Sequence, residues 1–175
     1  RSERQPVYKE VRQMFLKPEE LFRGKTITRK IDAVVLHYSA VAGKKTAEEV
    51  KKQIEAIRAA HKQRGWKDIG YHIGVDLLGR YWELRPINMI GAHTKGHNRH
   101  SVGVVMLADA EQLQSAPLLE DAVLRLFSYL NIRFKHPAFF LHRQLNPTQC
   151  PPIRKEFEGR LRTLGYLSGG DDDGT

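Results

Sequence analysis

Ile31-Asp32-Ala33-Val34-Val35-Leu36-His37-Tyr38-Ser39-Ala40 opens with an apolar, β-branched run of strand length, and His37 comes where that run gives way to polar residues. Runs of this kind mark strands buried within a sheet, so His37 is expected at a strand's end. Downstream, Thr46 followed by Glu49 has the form of a capping box, and Val50, Ile54 and Ile57 then recur at helical spacing until Gly65 stops the pattern. Lys51, Lys52, Glu55, Arg58 and Lys62 read as the solvated face of that helix. Tyr71–Val75 and Tyr81–Leu84 flank Asp76-Leu77-Leu78-Gly79-Arg80 and predict a hairpin. Ser101–Leu107 predicts a buried strand, Pro117 to about Phe134 a helix with Leu119, Val123, Leu126 and Leu130 inward, Ala138–Leu141 a short strand followed by His142, and Ile153–Leu164 a closing helix. The order of elements points to an α/β (α+β) domain, one sheet covered by helices, with its strand order unreadable.

Upstream, Val7, Val11, Met14 and Phe15 lie at helical spacing before Pro18, which predicts a short helix within residues 1–30. The last residues, Ser168 to Thr175, hold no core-forming side chain, and residues 167–175 are expected to be a disordered acidic tail. The 175 residues fit a single domain able to bury a core, and 41% hydrophobic with 28% charged residues is ordinary globular composition.

The formal charge is +9, and the first thirty residues hold nine Lys/Arg against four Asp/Glu. An anionic partner is implied, but charge alone does not choose among nucleic acid, a membrane surface and an acidic cell-wall polymer. Neither a recognised DNA or RNA motif nor an aromatic-basic interleaving is present, so no stable nucleic-acid partner is expected. No apolar run approaches a membrane span. With Cys150 the single cysteine, no intrachain disulfide can form. A monomer is expected, and the compartment stays open because the sequence starts at Arg1.

Taken singly, a histidine after a strand is a hydrogen-bonded structural residue more often than a ligand, and a lone cysteine is usually a small buried hydrophobe. Together, two imidazoles and one thiolate suit Zn²⁺ and leave a fourth tetrahedral position free, the arrangement of a hydrolytic rather than a closed structural site. His142 and Cys150 bracket a loop stiffened by Pro147, with Pro151 and Pro152 beyond it. Tyr71 and His72 should face opposite ways along an extended chain, so one of them at most lines a site; on the residues alone Tyr71 reads as half-buried packing and His72 as structural. His61 and His136 are assigned to the surface.

Four ordered motifs carry a family resemblance: His37-Tyr38-Ser39-Ala40; Arg64-Gly65-Trp66-Lys67-Asp68-Ile69-Gly70-Tyr71-His72; Gly91-Ala92-His93-Thr94-Lys95-Gly96-His97-Asn98 with Ser101-Val102-Gly103-Val104; and His142-Arg143 with Pro147-Thr148-Gln149-Cys150-Pro151. In this order and spacing the chain resembles the zinc N-acetylmuramoyl-L-alanine amidases, which include bacteriophage amidase endolysins and animal peptidoglycan recognition proteins. The resemblance implies a single domain over residues 31–166 with a central mixed sheet flanked by helices. It implies Zn²⁺ held by His37, His142 and Cys150, and Tyr71 and Thr148 as catalytic groups. His93, His97 and Asn98 would meet a muramoyl peptide of peptidoglycan, although His97, with Arg99 and His100, reads equally well as plain loop.

The activity so implied is hydrolysis of the bond between N-acetylmuramic acid and L-alanine at the bacterial cell wall or periplasm. A non-catalytic peptidoglycan-binding module is the alternative, and a basic nucleic-acid binder a more distant one. Gln144 departs from the acidic residue that commonly follows His-Arg, leaving the orientation of His142 in question. Thr148 stands where many phage members carry lysine, and its hydroxyl remains a donor.

Overall fold

A buried parallel strand must be apolar on both faces, and the two strands at the middle of this sheet meet that demand. In a computed structural model, which describes residues 17–167, β1 (Ala33–Tyr38) lies between β4 (Ser101–Met106) and β5 (Ala138–Leu141), parallel to both. Beyond β4 comes β2 (Ile73–Val75), also parallel, and β3 (Tyr81–Glu83) turns back antiparallel at the edge, giving the order β3-β2-β4-β1-β5. The sheet is therefore mixed.

Helices cover both faces. Period-two alternation sends Val34 and Leu36 of β1 and Val102, Val104 and Met106 of β4 to one side. There they pack with Leu119, Val123, Leu126, Phe127 and Leu130 of α2 (Pro117–Arg133) and with Phe157 and Leu161 of α3 (Lys155–Thr163). Burying each of these large side chains is worth roughly 1.5–3 kcal/mol. The opposite face holds a smaller cluster in which Val50 and Ile54 of α1 (Ala47–Gln63) meet Ile69, Leu84, Val105 and Leu107. Thr46 caps α1 by accepting from Glu49 N at 3.2 Å, while its hydroxyl donates to the Glu49 carboxylate.

Four sequence expectations shift. The first strand runs two residues further than Leu36, since His37 and Tyr38 still pair with Val105 and Met106, so His37 lies inside β1 rather than after it. His61, assigned to the surface, is only 8% exposed: it continues the Val50, Ile54, Ile57 stripe, and its Nδ1 accepts from Gly70 N at 2.9 Å. The core also reaches back before residue 31, because Leu21 and Phe22 are 2% and 5% exposed within the α2 cluster. Arg29 fastens that segment by donating to the carbonyls of Ile87, Arg99 and Ser101. Leu167, placed in the tail from sequence, is 3% exposed within the α2 cluster, while the helix expected at Val7–Leu16 and residues 168–175 lie outside the described residues.

Candidate metal centre and cleft

Register, rather than loop packing, brings the first two histidines together. Leu36 pairs with Leu141, so the next residue on each parallel strand, His37 and His142, emerges at the same level and on the sheet face that carries α1. Their ring centroids are 4.5 Å apart. His142 opens a 3-10 turn, His142–Gln144, in which Gln144 Oε1 accepts from Leu141 N. The chain then loops round to Cys150, fixed by Arg143: its N–H donates to Cys150 O at 2.8 Å and its Nη1 to Pro151 O at 2.8 Å, beside a cis Cys150–Pro151 peptide.

One ligand atom from each of His37, His142 and Cys150 lies within 4.8 Å of the others. Tetrahedral zinc with bonds of about 2.0–2.3 Å separates its ligands by roughly 3.3–3.6 Å, so a small inward movement closes the set. The donors fit a metal in other respects. Asn146 Nδ2 donates to Lys95 O and Leu145 O, which turns Oδ1 towards His142 Nε2 at 2.9 Å. His142 Nε2 must then carry the proton, and its Nδ1 is a buried nitrogen with no hydrogen-bond partner. That bare lone pair is what a metal ion takes. Orientation of His142 thus comes from Asn146, and not from the position that Gln144 occupies.

Burial, with His142 nearby, holds His37 well below the usual imidazole range, and burial also lowers His142, partly offset by its bond to Asn146. Both rings are therefore neutral at neutral pH, as ligands must be. Burial pushes the Cys150 thiol up to about 11, against the Tyr38 backbone bond and the charge of Arg143. The protein alone does not stabilise this thiolate, whereas a bound cation would.

Tyr71 stands beside the centre, its ring 5.2 Å from that of His37 and 5.7 Å from that of His61. Burial raises its hydroxyl to about 12, with Cys150 adding to the rise and Arg64 opposing it. His72 faces away: Gly103 N donates to its Nδ1, and its Nε2 lies 2.8 Å from Met89 O. Thr148 sits exposed on the cysteine loop, where its Oγ1 accepts from Cys150 N at 3.2 Å.

A cavity of about 460 Å³ opens at His142 and is lined by Trp66, His93, Thr94, Lys95, Asn98 and Asn146. Trp66 and Ala92 also border a second hollow of about 480 Å³ with Lys67, Arg85 and Ile90, so the groove continues past the indole. Of the expected substrate contacts, His93 is turned inward onto His37, with 2.9 Å between its Nδ1 and His37 Nε2. Asn98 accepts from the backbone N–H groups of His93 and Thr94 and so shapes the cleft wall. His97 is exposed and borders a separate cavity of about 530 Å³ with Asp32, Ala138 and Phe140. Sequence reasoning missed Asn146 and Thr94, for which one sequence offered no periodic signal. It missed His61 too, although its place on the α1 stripe was visible.

Comparison with known proteins accords with this geometry. The N-acetylmuramoyl-L-alanine amidase family matches residues 27–152. Peptidoglycan-recognition protein LB of Drosophila melanogaster is 32% identical over 123 residues, 67% of this chain and 53% of that protein, so the chain spans about half the length of that relative. The endolysin of Escherichia phage T7 is 27% identical over 125 residues, covering 69% of this chain and 80% of the endolysin. The solved structure of wild-type Drosophila peptidoglycan-recognition protein LB aligns with a TM-score of 0.72 at 25% identity, covering 85% of this chain and 89% of that one. With a mixed five-stranded sheet, a His-His-Cys cluster at its rim and a match that takes in both, the chain belongs to the N-acetylmuramoyl-L-alanine amidase family.

Proposed function

We propose that the protein is a zinc-dependent amidase that hydrolyses the amide between the lactyl group of N-acetylmuramic acid and the L-alanine of the stem peptide in peptidoglycan. The observation that carries this reading is the convergence of His37, His142 and Cys150 at the mouth of a cleft. A zinc ion held by these three residues supplies a Lewis acid and a water acidified towards neutrality. The residues do the rest. Asn146 keeps His142 in the tautomer that offers Nδ1. Tyr71 stays protonated at neutral pH, so its hydroxyl acts as a donor that orients the attacking water or passes a proton to the leaving amine. Thr148 accepts through a lone pair, which leaves its hydroxyl proton for the oxygen that becomes negative as the carbonyl is attacked.

A digest of intact peptidoglycan followed by mass spectrometry tests the reading. Free stem peptides beginning with L-alanine, their release stopped by a chelator and restored by zinc, are the expected products. Tight binding to peptidoglycan with no peptide released, even with zinc present, replaces the enzyme with a recognition module.

Metal loading has a predictable pH dependence. At pH 7 both imidazoles are already neutral, while the Cys150 thiol, raised to about 11, still holds its proton. Binding must therefore expel about one proton, and affinity should rise about tenfold per pH unit between roughly pH 7 and 9. Calorimetry in two buffers of different ionisation enthalpy reads this release directly. A pH-independent affinity would show that the thiolate is not a ligand.

A further inference from the structure

His93 occupies a slot built for its ring. A Cβ added to Gly103 would lie 2.6 Å from His93 Cγ and Cδ2, and one added to Gly91 would lie 2.6 Å from Cδ2, so only glycine at both positions admits the imidazole. The ring is 9% exposed and meets that of His37 edge-on, with centroids 5.0 Å apart. His93 Nδ1 lies 2.9 Å from His37 Nε2 and 2.8 Å from Thr94 Oγ1, and Thr94 Oγ1 is also 3.2 Å from His37 Nε2. On the other side, His93 Nε2 lies 3.2 Å from Oγ of the fully buried Ser101.

The contact between His37 Nε2 and His93 Nδ1 has room for one proton. A proton on His93 would make His37 Nε2 the acceptor, and a neutral His37 would then carry its proton on Nδ1, blocking that nitrogen. A proton on His37 Nε2 instead needs His93 Nδ1 bare, with the His93 proton on Nε2, where Ser101 Oγ stands to accept it. Thr94 Oγ1, within reach of both nitrogens, then accepts a share of the His37 proton.

We propose that His93, braced by Ser101 and Thr94, is a positioning residue that fixes the His37 tautomer, keeping the proton on Nε2 and presenting Nδ1 to the metal. The inference rests on the zinc reading above. It makes the Gly-Ala-His segment part of the metal centre as well as of the cleft wall.

Two variants separate positioning from packing. His93→Phe keeps a ring in the slot but offers no acceptor, whereas His93→Asn loses volume but keeps a carbonyl oxygen near the Nδ1 position. Zinc affinity, measured on metal-free protein by competition with a chromogenic chelator, is expected to fall about 10–100-fold in the Phe variant and to stay within about threefold of the parent in the Asn variant. A role in packing alone predicts the opposite order, and that order, or equal affinities, overturns the proposal.

In the metal-free parent, imidazole ¹⁵N correlation spectra should show both His37 and His93 protonated at Nε2. A proton on His93 Nδ1 overturns the proposal as well. Zinc binding with the expected variant order but no peptide release sinks the amidase and leaves the role of His93 intact. Release by a zinc-loaded parent without that order sinks the role of His93 alone, and a parent that binds no zinc sinks both.

Discussion

Cys150→Ser is expected to empty the metal centre and stop peptidoglycan hydrolysis while leaving the protein folded. The parent should hold about one zinc per chain and the variant less than about a tenth of that after dialysis, with turnover down by about three orders of magnitude or more. Serine offers a neutral hydroxyl in place of a thiolate, and two imidazoles alone hold the ion weakly. Folding should survive because Cys150 is partly exposed on a loop and belongs to neither apolar cluster. The metal-free forms of parent and variant should therefore melt within about 1 °C of each other, a shift below the roughly 2–4 °C that 1 kcal/mol moves a domain of this size. Metal analysis beside a muropeptide digest checks the expectation, and full activity in a metal-free variant would overturn the mechanism.

Tyr71→Phe should separate chemistry from metal binding. Its ring contacts with His37 and His61 survive the loss of the hydroxyl, so zinc content should not change. If the hydroxyl orients water or transfers a proton, kcat should fall about 10²–10³-fold with KM little altered. Unchanged kcat would return Tyr71 to half-buried packing. Loss of zinc would instead make the hydroxyl a support of the centre.

Much of the architecture was legible because apolar periodicity encodes it. The run from Ile31 announced a strand, Val50, Ile54 and Ile57 announced α1, and the α2 stripe from Leu119 to Leu130 matched the face that the sheet buries. The strand ends were less legible. His37 remains in the ladder because backbone pairing with Val105, which side-chain pattern does not report, carries β1 past its last aliphatic residue. Leu21 and Phe22 were missed since a single 3-10 turn, Pro18–Glu20, has no period to detect.

At the site, the residues that meet could be named from the motifs, but not what each one holds. His93 was expected to face substrate; it lines the cleft and also packs on His37, a second contact that was not legible because the space that admits its ring is made by Gly103 on a strand and Gly91 in a loop, whose proximity only tertiary structure reveals. Asn146 likewise depends on the turn of the chain after β5, which returns its amide to His142.

Two of the three candidate ligands emerge from neighbouring strands of the sheet, and the third rides on a loop that the sheet does not need. The metal centre is thereby separable from the scaffold. A change at that one loop position would take away a candidate ligand and leave the sheet and both apolar clusters intact.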